Sequence, residues 1–283
     1  MPKNLFISGC STGIGRACAL HFAKNEYCVY AGVRKASDAE SLKAADNTGN
    51  LEPVILDVTN ESQLSDLKAY LSQKIGDVGL VGIINNAAIA RGGPLEYVVP
   101  QVVRDMFNVN VMGPLLITQT LLPLVRTANG RIVNIGSIGG KIANPMAGAY
   151  SITKFGLEAF NDSLRQELAP QGIHVSLIEP GPIDTPTLQS SDQQIQEVLD
   201  SLTDEGKERY GNSIAQIRVY FQAVQNKSLP PQVVVDAAEH ALESERPKTR
   251  YLVTKEAKIG NFLRWMLSDR ALAEPVNDFE TLC

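Results

Sequence analysis

The chain has 283 residues, of which 44% are hydrophobic, and its formal net charge at pH 7 is -5. This composition excludes a disordered chain, and the lack of a basic stripe excludes a nucleic-acid binder. Residues 3–8 already have the pattern of a first core strand, so we expect no secretory leader. The sequence has no apolar run of the roughly 20 residues that span a bilayer, and its four cysteines lack metal-ligand spacing. We therefore expect a cytoplasmic protein with neither a metal site nor a membrane span.

Short β-branched or apolar runs alternate with helical patterns along most of the chain. The predicted strands are 5–7, 27–33, 51–56, 80–85, 131–135, 175–178 and 251–253. The predicted helices are 13–25, 60–74, 100–124, 149–169 and 233–242. Such alternation predicts an α/β fold, in which a doubly wound parallel sheet is covered by helices on both faces.

Two regions interrupt the alternation. Residues 187–231 form a polar helical insertion, and residues 254–283 extend beyond the last strand as a helical C-terminal extension. The extension begins with an apolar helical face that includes Ile259, Phe262 and Met266. We expect this face to dock on the body of the protein, with a subunit contact or a membrane anchor as the alternatives. No linker divides the chain, so 1–283 is predicted to be a single domain.

A glycine-rich turn, SGCSTGIG at residues 8–15, follows the first predicted strand. Glycines at such a junction let the backbone turn tightly and approach a pyrophosphate, whose charge then lies at the N-terminus of the next helix. The spacing is Gly-x3-Gly-x-Gly rather than Gly-x-Gly-x2-Gly. A glycine cluster by itself is commonly only a loop, but its place between the first strand and the first helix favours cofactor binding.

The most specific pattern in the chain is Ser137-x12-Tyr150-x3-Lys154. Tyr-x3-Lys also occurs at Tyr70 and at Tyr251, but neither of those copies has a serine thirteen residues earlier. A phenol has a pKa of about 10, so catalysis at neutral pH requires about 4 kcal/mol of preferential stabilisation of its anion. Lys154, one helical turn away, has the charge to provide it, and Ser137 can donate a hydrogen bond to a substrate oxygen. Taken singly, Tyr150 and Lys154 could be an ordinary surface pair, and Ser137 could simply end a strand.

Together with Asn85-Asn86-Ala87-Ala88, Asn110 and Pro180-Gly181, these motifs resemble the short-chain dehydrogenase/reductase superfamily. The resemblance is to its compact single-domain branch and extends from about residue 3 to residue 253. It implies a Rossmann-like sheet of strand order 3-2-1-4-5-6-7 and a substrate lid formed by 187–231. Ser8 and Ala88 depart from the family's usual threonine and glycine. The segment 249–253 and the tail after it resemble hydroxysteroid and retinol dehydrogenases.

The resemblance also implies roles for individual residues. In the catalytic set of Ser137, Tyr150, Lys154 and Asn110, the asparagine holds a water that relays a proton from Lys154. The implied cofactor-binding residues are Gly9, Ser11, Thr12, Gly13, Ile14, Gly15, Arg34, Asp57, Val58, Asn86, Ala87, Tyr150, Lys154, Pro180, Gly181, Ile183 and Thr185. For three positions a structural role is the alternative. Asn110 could be a buried side chain that ties strands together, Asp57 could cap a helix, and Pro180-Gly181 could be a plain turn.

The end of the second strand indicates which cofactor is used. NAD-specific enzymes place a carboxylate there to bind the adenosine ribose, whereas this chain has Val33, Arg34 and Lys35. A guanidinium binds a 2′-phosphate in a bidentate manner, so Arg34 favours NADP(H). The alternative is that Arg34 is a solvated loop cation.

We therefore expect an NADP(H)-dependent oxidoreductase that acts on a hydrophobic alcohol or carbonyl of hydroxysteroid-like or retinoid-like shape. The alternatives are a small-ketone or 3-oxoacyl reductase, and a non-catalytic NADP(H)-sensing regulator. Helices 100–124 and 149–169 carry more apolar positions than one sheet face covers. This predicts a homodimer or homotetramer, unless these side chains only pack on the sheet.

Overall fold

The computed structural model describes residues 3–272. Seven strands form one sheet in the order β3-β2-β1-β4-β5-β6-β7, and every neighbouring pair is parallel. The strands are β1 (Lys3–Ile7), β2 (Tyr27–Val33), β3 (Leu51–Ile55), β4 (Gly82–Asn85), β5 (Arg131–Ile135), β6 (His174–Glu179) and β7 (Arg250–Leu252). The predicted fold class and strand order are confirmed.

Helices connect the strands and cover both faces of the sheet. The α-helices include α1 (Gly13–Lys24), α2 (Ala36–Ala45), α3 (Glu61–Ile75), α4 (Pro100–Phe107), α5 (Gly113–Thr127), α6 (Gly148–Leu168), α7 (Pro186–Gln189), α8 (Ser191–Ser201), α9 (Asp204–Lys227), α10 (Gln232–Glu243) and α11 (Lys255–Met266). Helix α2 was not predicted, because Leu42 is the one buried side chain it contributes. One buried layer contains Phe22 of α1 and Val235 of α10, and the other contains Leu67 of α3 and Leu121 of α5.

The segment predicted as one helix from 100 to 124 is divided. Between α4 and α5, residues Asn108–Met112 form a π-type turn that turns Asn110 into the interior. By length and composition the whole run Pro100–Thr127 could cross a membrane, which the sequence pattern did not predict. A buried core helix passes the same test, and Ile117, Leu121 and Val125 of this run are buried in the protein.

The insertion at 187–231 contains α7, α8 and α9. Its helices have a separate apolar cluster around Ile195, Leu202 and Ile214, against which Tyr97 from the segment before α4 packs. Glu96 on that segment accepts a hydrogen bond of 2.7 Å from the Tyr210 hydroxyl. The insertion is therefore held to the body through the 92–98 segment.

The expectation that the apolar face of the C-terminal extension docks on the body is wrong for the described part of α11. Ile259 is 59% exposed, and Phe262 and Met266 on the same face are 52% and 53% exposed. Helix α11 packs instead through small residues, since Ala257 is buried and a Cβ on Gly260 would lie 3.1 Å from Ile142. Residues 273–283 of the predicted extension lie outside the described residues.

Candidate active site

The predicted site residues lie together at the carboxyl edge of the sheet. At this edge the chain continues from β1 toward β2 and from β4 toward β5, which are opposite directions in the sheet. This crevice is where ligands bind in open α/β sheets, because the loops after neighbouring strands diverge there. The turn after β1, the segment after β4, the turn after β5 and the loop after β6 all meet at this edge.

The turn after β1 is compact enough to require glycine at two positions. Gly9 has φ +71, and a Cβ on it would lie 2.6 Å from Cα of Ala87. A Cβ on Gly15 would lie 2.2 Å from the carbonyl oxygen of Gly9. Asn86 fixes the turn, because its Nδ2 donates to the carbonyl oxygens of Ser8 at 3.1 Å and Gly9 at 3.0 Å. These contacts bring Gly9, Gly15, Asn86 and Ala87 together.

The departure at Ser8 preserves a structural contact. Its Oγ accepts hydrogen bonds from the backbone amides of Asn86 at 3.0 Å and Ala87 at 3.1 Å. A serine hydroxyl therefore joins the end of β1 to the segment after β4, and the methyl group of a threonine is not needed for this connection.

The N-terminus of α1 faces the same crevice. Thr12 occupies the N-cap position, but its side chain does not cap the helix, and the first turn contains no acidic residue. The first amides of a helix carry partial positive charge and attract an anion, so this terminus fits a pyrophosphate. The place that a Cβ on Gly13 would take lies 3.1 Å from Cγ2 of Thr185, so the loop after β6 lies beside the glycine turn.

That loop is fixed at both ends. The carbonyl of Pro180 accepts a hydrogen bond of 3.0 Å from the amide of Ile138, next to Ser137. Gly181 lies against Thr254, whose Oγ1 would be 2.3 Å from a Cβ at that position. Ile183 is buried and pairs with Leu229 in a short parallel bridge. The predicted residues of this loop therefore face the turn from the opposite side of the crevice.

Ser137 and Tyr150 meet at the end of β5. The Ser137 Oγ accepts a hydrogen bond of 3.1 Å from the amide of Gly139, which orients the hydroxyl at the start of a short turn. Burial raises the pKa of Tyr150, and a side-chain hydrogen bond with Ser137 opposes this rise. The phenol is therefore neutral at pH 7 in the protein alone.

Lys154 lies one helical turn after Tyr150 on α6. Its side chain is 3% exposed, its Nζ donates to the carbonyl of Ile135 at 3.0 Å, and Nζ lies 5.7 Å from the centroid of the Tyr150 ring. Burial lowers the pKa of Lys154 to about 8, although the charge of Glu158 opposes the decrease. The ammonium is therefore close to its titration range and faces the phenol across the turn of the helix.

Asn110 is held by hydrogen bonds on both ends of its amide. Its Oδ1 accepts from the amide of Ile89 at 2.8 Å, and its Nδ2 donates to the carbonyl of Ile89 at 2.8 Å and to Thr153 Oγ1 at 3.0 Å. Thr153 in turn donates to the carbonyl of Tyr150 at 2.7 Å. Thr153 therefore joins Asn110 to α6, and no pattern in the sequence distinguished Thr153 from its neighbours.

Arg34 and Asp57 lie at the adjacent edge of the crevice. The side chain of Arg34 is exposed. Asp57 Oδ1 accepts hydrogen bonds from the amide of Thr59 at 2.9 Å and from its hydroxyl at 2.7 Å. The amide hydrogen bond lowers the pKa of Asp57, and the charge of Arg34 contributes to the decrease. Asp57 thus stabilises the turn before α3, while Asn60 caps that helix through the amide of Gln63 at 3.1 Å.

Three other predicted residues lie in the same crevice. Val58 is buried against Gly113, and a Cβ added to Gly113 would lie 2.8 Å from Cγ2 of Val58. Ser11 and Ile14 are half-buried in the glycine turn. A buried chain of amides behind the crevice was not predicted: Asn85 donates to Asn134 at 2.8 Å, and Asn134 donates to Asn161 at 2.9 Å.

Comparison with known proteins agrees with this geometry. A family model for short chain dehydrogenases matches residues 3–196. Mouse (Mus musculus) retinol dehydrogenase 5 is 35% identical over 261 residues, which are 90% of this chain and 81% of that protein. The 3-amino-tetrahydro-pyrrolizinone reductase of Xenorhabdus hominickii is also 35% identical, over 90% of this chain and 88% of its own. The chain therefore belongs to the short-chain dehydrogenase family.

Solved structures show the same fold. A short-chain dehydrogenase from Streptomyces avermitilis superposes with a TM-score of 0.77 at 24% identity, over 99% of this chain and 97% of that one. A structure of ElxO with NADP bound superposes with a TM-score of 0.74 at 25% identity, over 92% and 100% of the two chains. Family membership and the retinol dehydrogenase relatives identify the protein as an oxidoreductase that acts on CH–OH or C=O groups.

Proposed function

We propose that the protein is an NADP(H)-dependent oxidoreductase for a hydrophobic alcohol or carbonyl of hydroxysteroid-like or retinoid-like shape, with Tyr150 as its general acid/base. The observation that carries the proposal is the meeting of Ser137 and Tyr150 in front of the buried Lys154. Retinol dehydrogenases among the relatives support the substrate class.

Proton transfer depends on Tyr150, Ser137 and Lys154. In reduction, Tyr150 donates its phenolic proton to the carbonyl oxygen of the substrate while Ser137 hydrogen-bonds that oxygen. The charge of Lys154 stabilises the phenolate that remains, which offsets the effect of burial on the pKa of Tyr150. In oxidation the phenolate of Tyr150 accepts the proton of the alcohol, and Lys154 and a water held by Asn110 relay that proton to the solvent. The nicotinamide ring, when bound, donates or accepts the hydride.

The crevice supplies the contacts for a dinucleotide. The amides of the glycine turn and of the α1 N-terminus face a pyrophosphate, since the side chains that would fill this space are absent at Gly9 and Gly15. Asp57 and Val58 would contact the adenine, and Ile183 and Thr185 would hold the carboxamide. The hydroxyl of Tyr150 and the ammonium of Lys154 would bind the nicotinamide ribose.

Arg34 selects the phosphorylated cofactor. It is exposed at the end of β2, and Asp57, the carboxylate near it, makes hydrogen bonds to Thr59. A guanidinium in this position can bind a 2′-phosphate through two hydrogen bonds, whereas the ribose hydroxyls of NAD(H) have no acidic partner at Val33.

The lid supports a hydrophobic substrate. Helices α8 and α9 form an apolar cluster against which Tyr97, from the segment before α4, and Met146, from the loop before α6, pack. Met146, which lies between Ser137 and Tyr150 in the sequence, has φ +63 and accepts a hydrogen bond of 2.7 Å from the amide of Gly93. The apolar side chains of the lid support a hydrophobic substrate.

The proposal includes assembly and location. Phe107 on α4 and Ile152 and Phe155 on α6 are exposed, although apolar side chains of this size are usually buried. They form a face that a second copy of the chain would cover in a homodimer, or in a homotetramer built from it. Free thiols at Cys10 and Cys18 support a reducing, cytoplasmic location.

Tyr150→Phe tests the proposal. The substitution retains the ring and removes only the ionisable oxygen, so turnover of a retinoid or steroid carbonyl with NADPH should fall by roughly 10²- to 10⁴-fold. The NADPH dissociation constant should remain near that of the wild type. Tyr70→Phe is the matched control, because Tyr70 also precedes a lysine by four residues but lies on the surface of α3 and contacts Glu52. Retention of more than a tenth of the activity in Tyr150→Phe would defeat the assignment.

A further inference from the structure

A buried group of charged side chains lies behind Lys154 and has no part in the proposed chemistry. Glu158 follows Lys154 by one turn on α6 and is 8% exposed. Glu179 ends β6, directly before Pro180, and is 1% exposed. We call Glu158 and Glu179 the carboxyl pair.

Two cations join the members of the carboxyl pair. Lys141 Nζ lies 2.6 Å from Glu158 Oε2 and 3.7 Å from Glu179 Oε1. Arg250 of β7 forms an ion pair with Glu158 Oε2, lies 3.4 Å from Glu179 Oε1, and contacts Asp162 at 2.6 Å. Side chains from α6, β6, β7 and the turn after β5 therefore converge on one buried cluster.

Each carboxyl group also has one oxygen without a partner. Glu158 Oε1 and Glu179 Oε2 are buried and have no hydrogen-bond partner among residues 3–272. Ionised carboxylates only accept hydrogen bonds, so two of them side by side leave these oxygens unpaired, whereas one proton between them supplies a donor. Burial raises the pKa of Glu179 to about 7, and the hydrogen bond that protonated Glu179 donates to Glu158 contributes to the rise.

The charges of the cluster act directly on Lys154. Asp162 and the carboxyl pair face three cations, namely Lys141, Arg250 and Lys154 itself. Arg165 of α6 and two lysines of the neighbouring groove, Lys248 and Lys258, complete the charged groups around the cluster. Glu158 is the carboxylate that favours the charged form of Lys154. The state of the carboxyl pair therefore determines the pH range over which Lys154 remains an ammonium.

We propose that Glu158 and Glu179 are positioning residues that share one proton and keep Lys154 charged beside Tyr150. The inference rests on the proposed function, because it matters only if Lys154 acts on Tyr150. Glu158 contributes most, since it lies on the same helix one turn from Lys154. Glu179 acts through Glu158 and through the two cations that they share.

The test is the pH profile of kcat/KM for NADPH-dependent carbonyl reduction between pH 6 and pH 10. Glu158→Gln keeps the shape and removes the charge, so Lys154 should lose its proton at lower pH and the alkaline limb should move down by about 1 pH unit. Glu179→Gln should move the alkaline limb by less than half of the shift expected for Glu158→Gln. Glu167→Gln, an exposed position on the same helix, is the control and should leave the limb unchanged.

An unchanged alkaline limb in Glu158→Gln, or an equal shift in Glu167→Gln, would overturn the inference, because a purely structural carboxylate lowers activity without moving the profile. If Glu158→Gln does not fold, Lys141→Gln replaces it. Lys141 is partly exposed, and its removal leaves the cluster more negative, so the limb should move up. A downward shift or no shift would then overturn the inference. Wild-type activity that survives Tyr150→Phe would instead overturn the proposed function.

Discussion

Gly15→Ala tests the idea that the turn after β1 is shaped by backbone contacts that leave no room for a side chain. The new Cβ would lie 2.2 Å from the Gly9 carbonyl oxygen and 2.4 Å from Asn86 Nδ2, whereas ordinary contacts begin at 3.4 Å. Because the nearest atom is a backbone atom, the turn must move by about 1 Å to accept the methyl group. The 3.0 Å hydrogen bond between Asn86 and Gly9 would be lost in that movement.

The expected cost follows from these two effects. Overpacking contributes about 1–3 kcal/mol and the lost hydrogen bond about 0.5–1.5 kcal/mol, so the free energy of unfolding should fall by about 1.5–4.5 kcal/mol. For a chain of this size, the fall corresponds to a decrease in Tm of roughly 3–18 °C. NADPH binding should weaken by at least about tenfold, because the displaced turn no longer matches a pyrophosphate.

The assay is thermal unfolding together with NADPH titration, with Gly211→Ala as the matched control. Gly211 lies inside α9, and no atom comes within 4 Å of the Cβ that alanine would add. Alanine should therefore stabilise α9 by about 0.5–1 kcal/mol and leave NADPH affinity unchanged. A Gly15→Ala variant with the Tm and the NADPH affinity of the wild type would refute the reasoning.

Three further predictions concern charge and assembly. Arg34→Ala should reduce the preference for NADPH over NADH in kcat/KM by roughly 10- to 150-fold, the equivalent of a charge-assisted contact of about 1.5–3 kcal/mol; an unchanged ratio contradicts the role of Arg34. The pKa of Glu179 rises from 4.5 to about 7 on folding, so its contribution to stability is greatest below pH 4.5 and is lost as the pH rises through 7. Denaturant titrations should show that the free energy of unfolding of the wild type falls, relative to that of Glu179→Gln, by up to about 3 kcal/mol between pH 4.5 and pH 8. The same pH dependence of this free energy in both proteins would contradict the prediction. Analytical ultracentrifugation should show a wild-type dimer or tetramer and a Phe155→Glu monomer, and a wild-type monomer at all concentrations would contradict the predicted contact.

The local features of the fold could be predicted from the sequence because each depends on neighbours along the chain. Apolar runs of strand length, separated by helical patterns, are enough to indicate a parallel sheet covered on both faces. The strand order 3-2-1-4-5-6-7 came from the family resemblance and is confirmed. The register of Ser137, Tyr150 and Lys154 was likewise visible, because a helix places residues four apart on one face.

The sequence pattern was less informative where conformation depends on distant contacts. It predicted one helix over 100–124, whereas the π-type turn at Asn108–Met112 places Asn110 against Ile89 and Thr153. The turn exists because α6 supplies a partner for the buried amide, and Thr153 is distant from Asn110 in the chain.

The apolar pattern of the sequence also led to a wrong prediction of which face of α11 packs on the body of the protein. An apolar helical face usually docks on the body, but close approach at Ala257 and Gly260 decides which side of α11 faces the protein, and Trp265 is left exposed. Small side chains allow helices to approach closely, and their effect depends on what lies opposite, here Ile138 and Ile142.

The charge cluster behind Lys154 was decided by tertiary structure alone. Glu158, Glu179 and Arg250 stand on different elements, and each taken singly looks like an ordinary charged residue in the sequence. The order of the strands brings β6 and β7 beside α6, and burial then makes the carboxyl groups compete for protons and cations. Sequence spacing determines which residues share a helix face, whereas electrostatic energy depends on distance and solvent exposure, which are set only when the chain has folded.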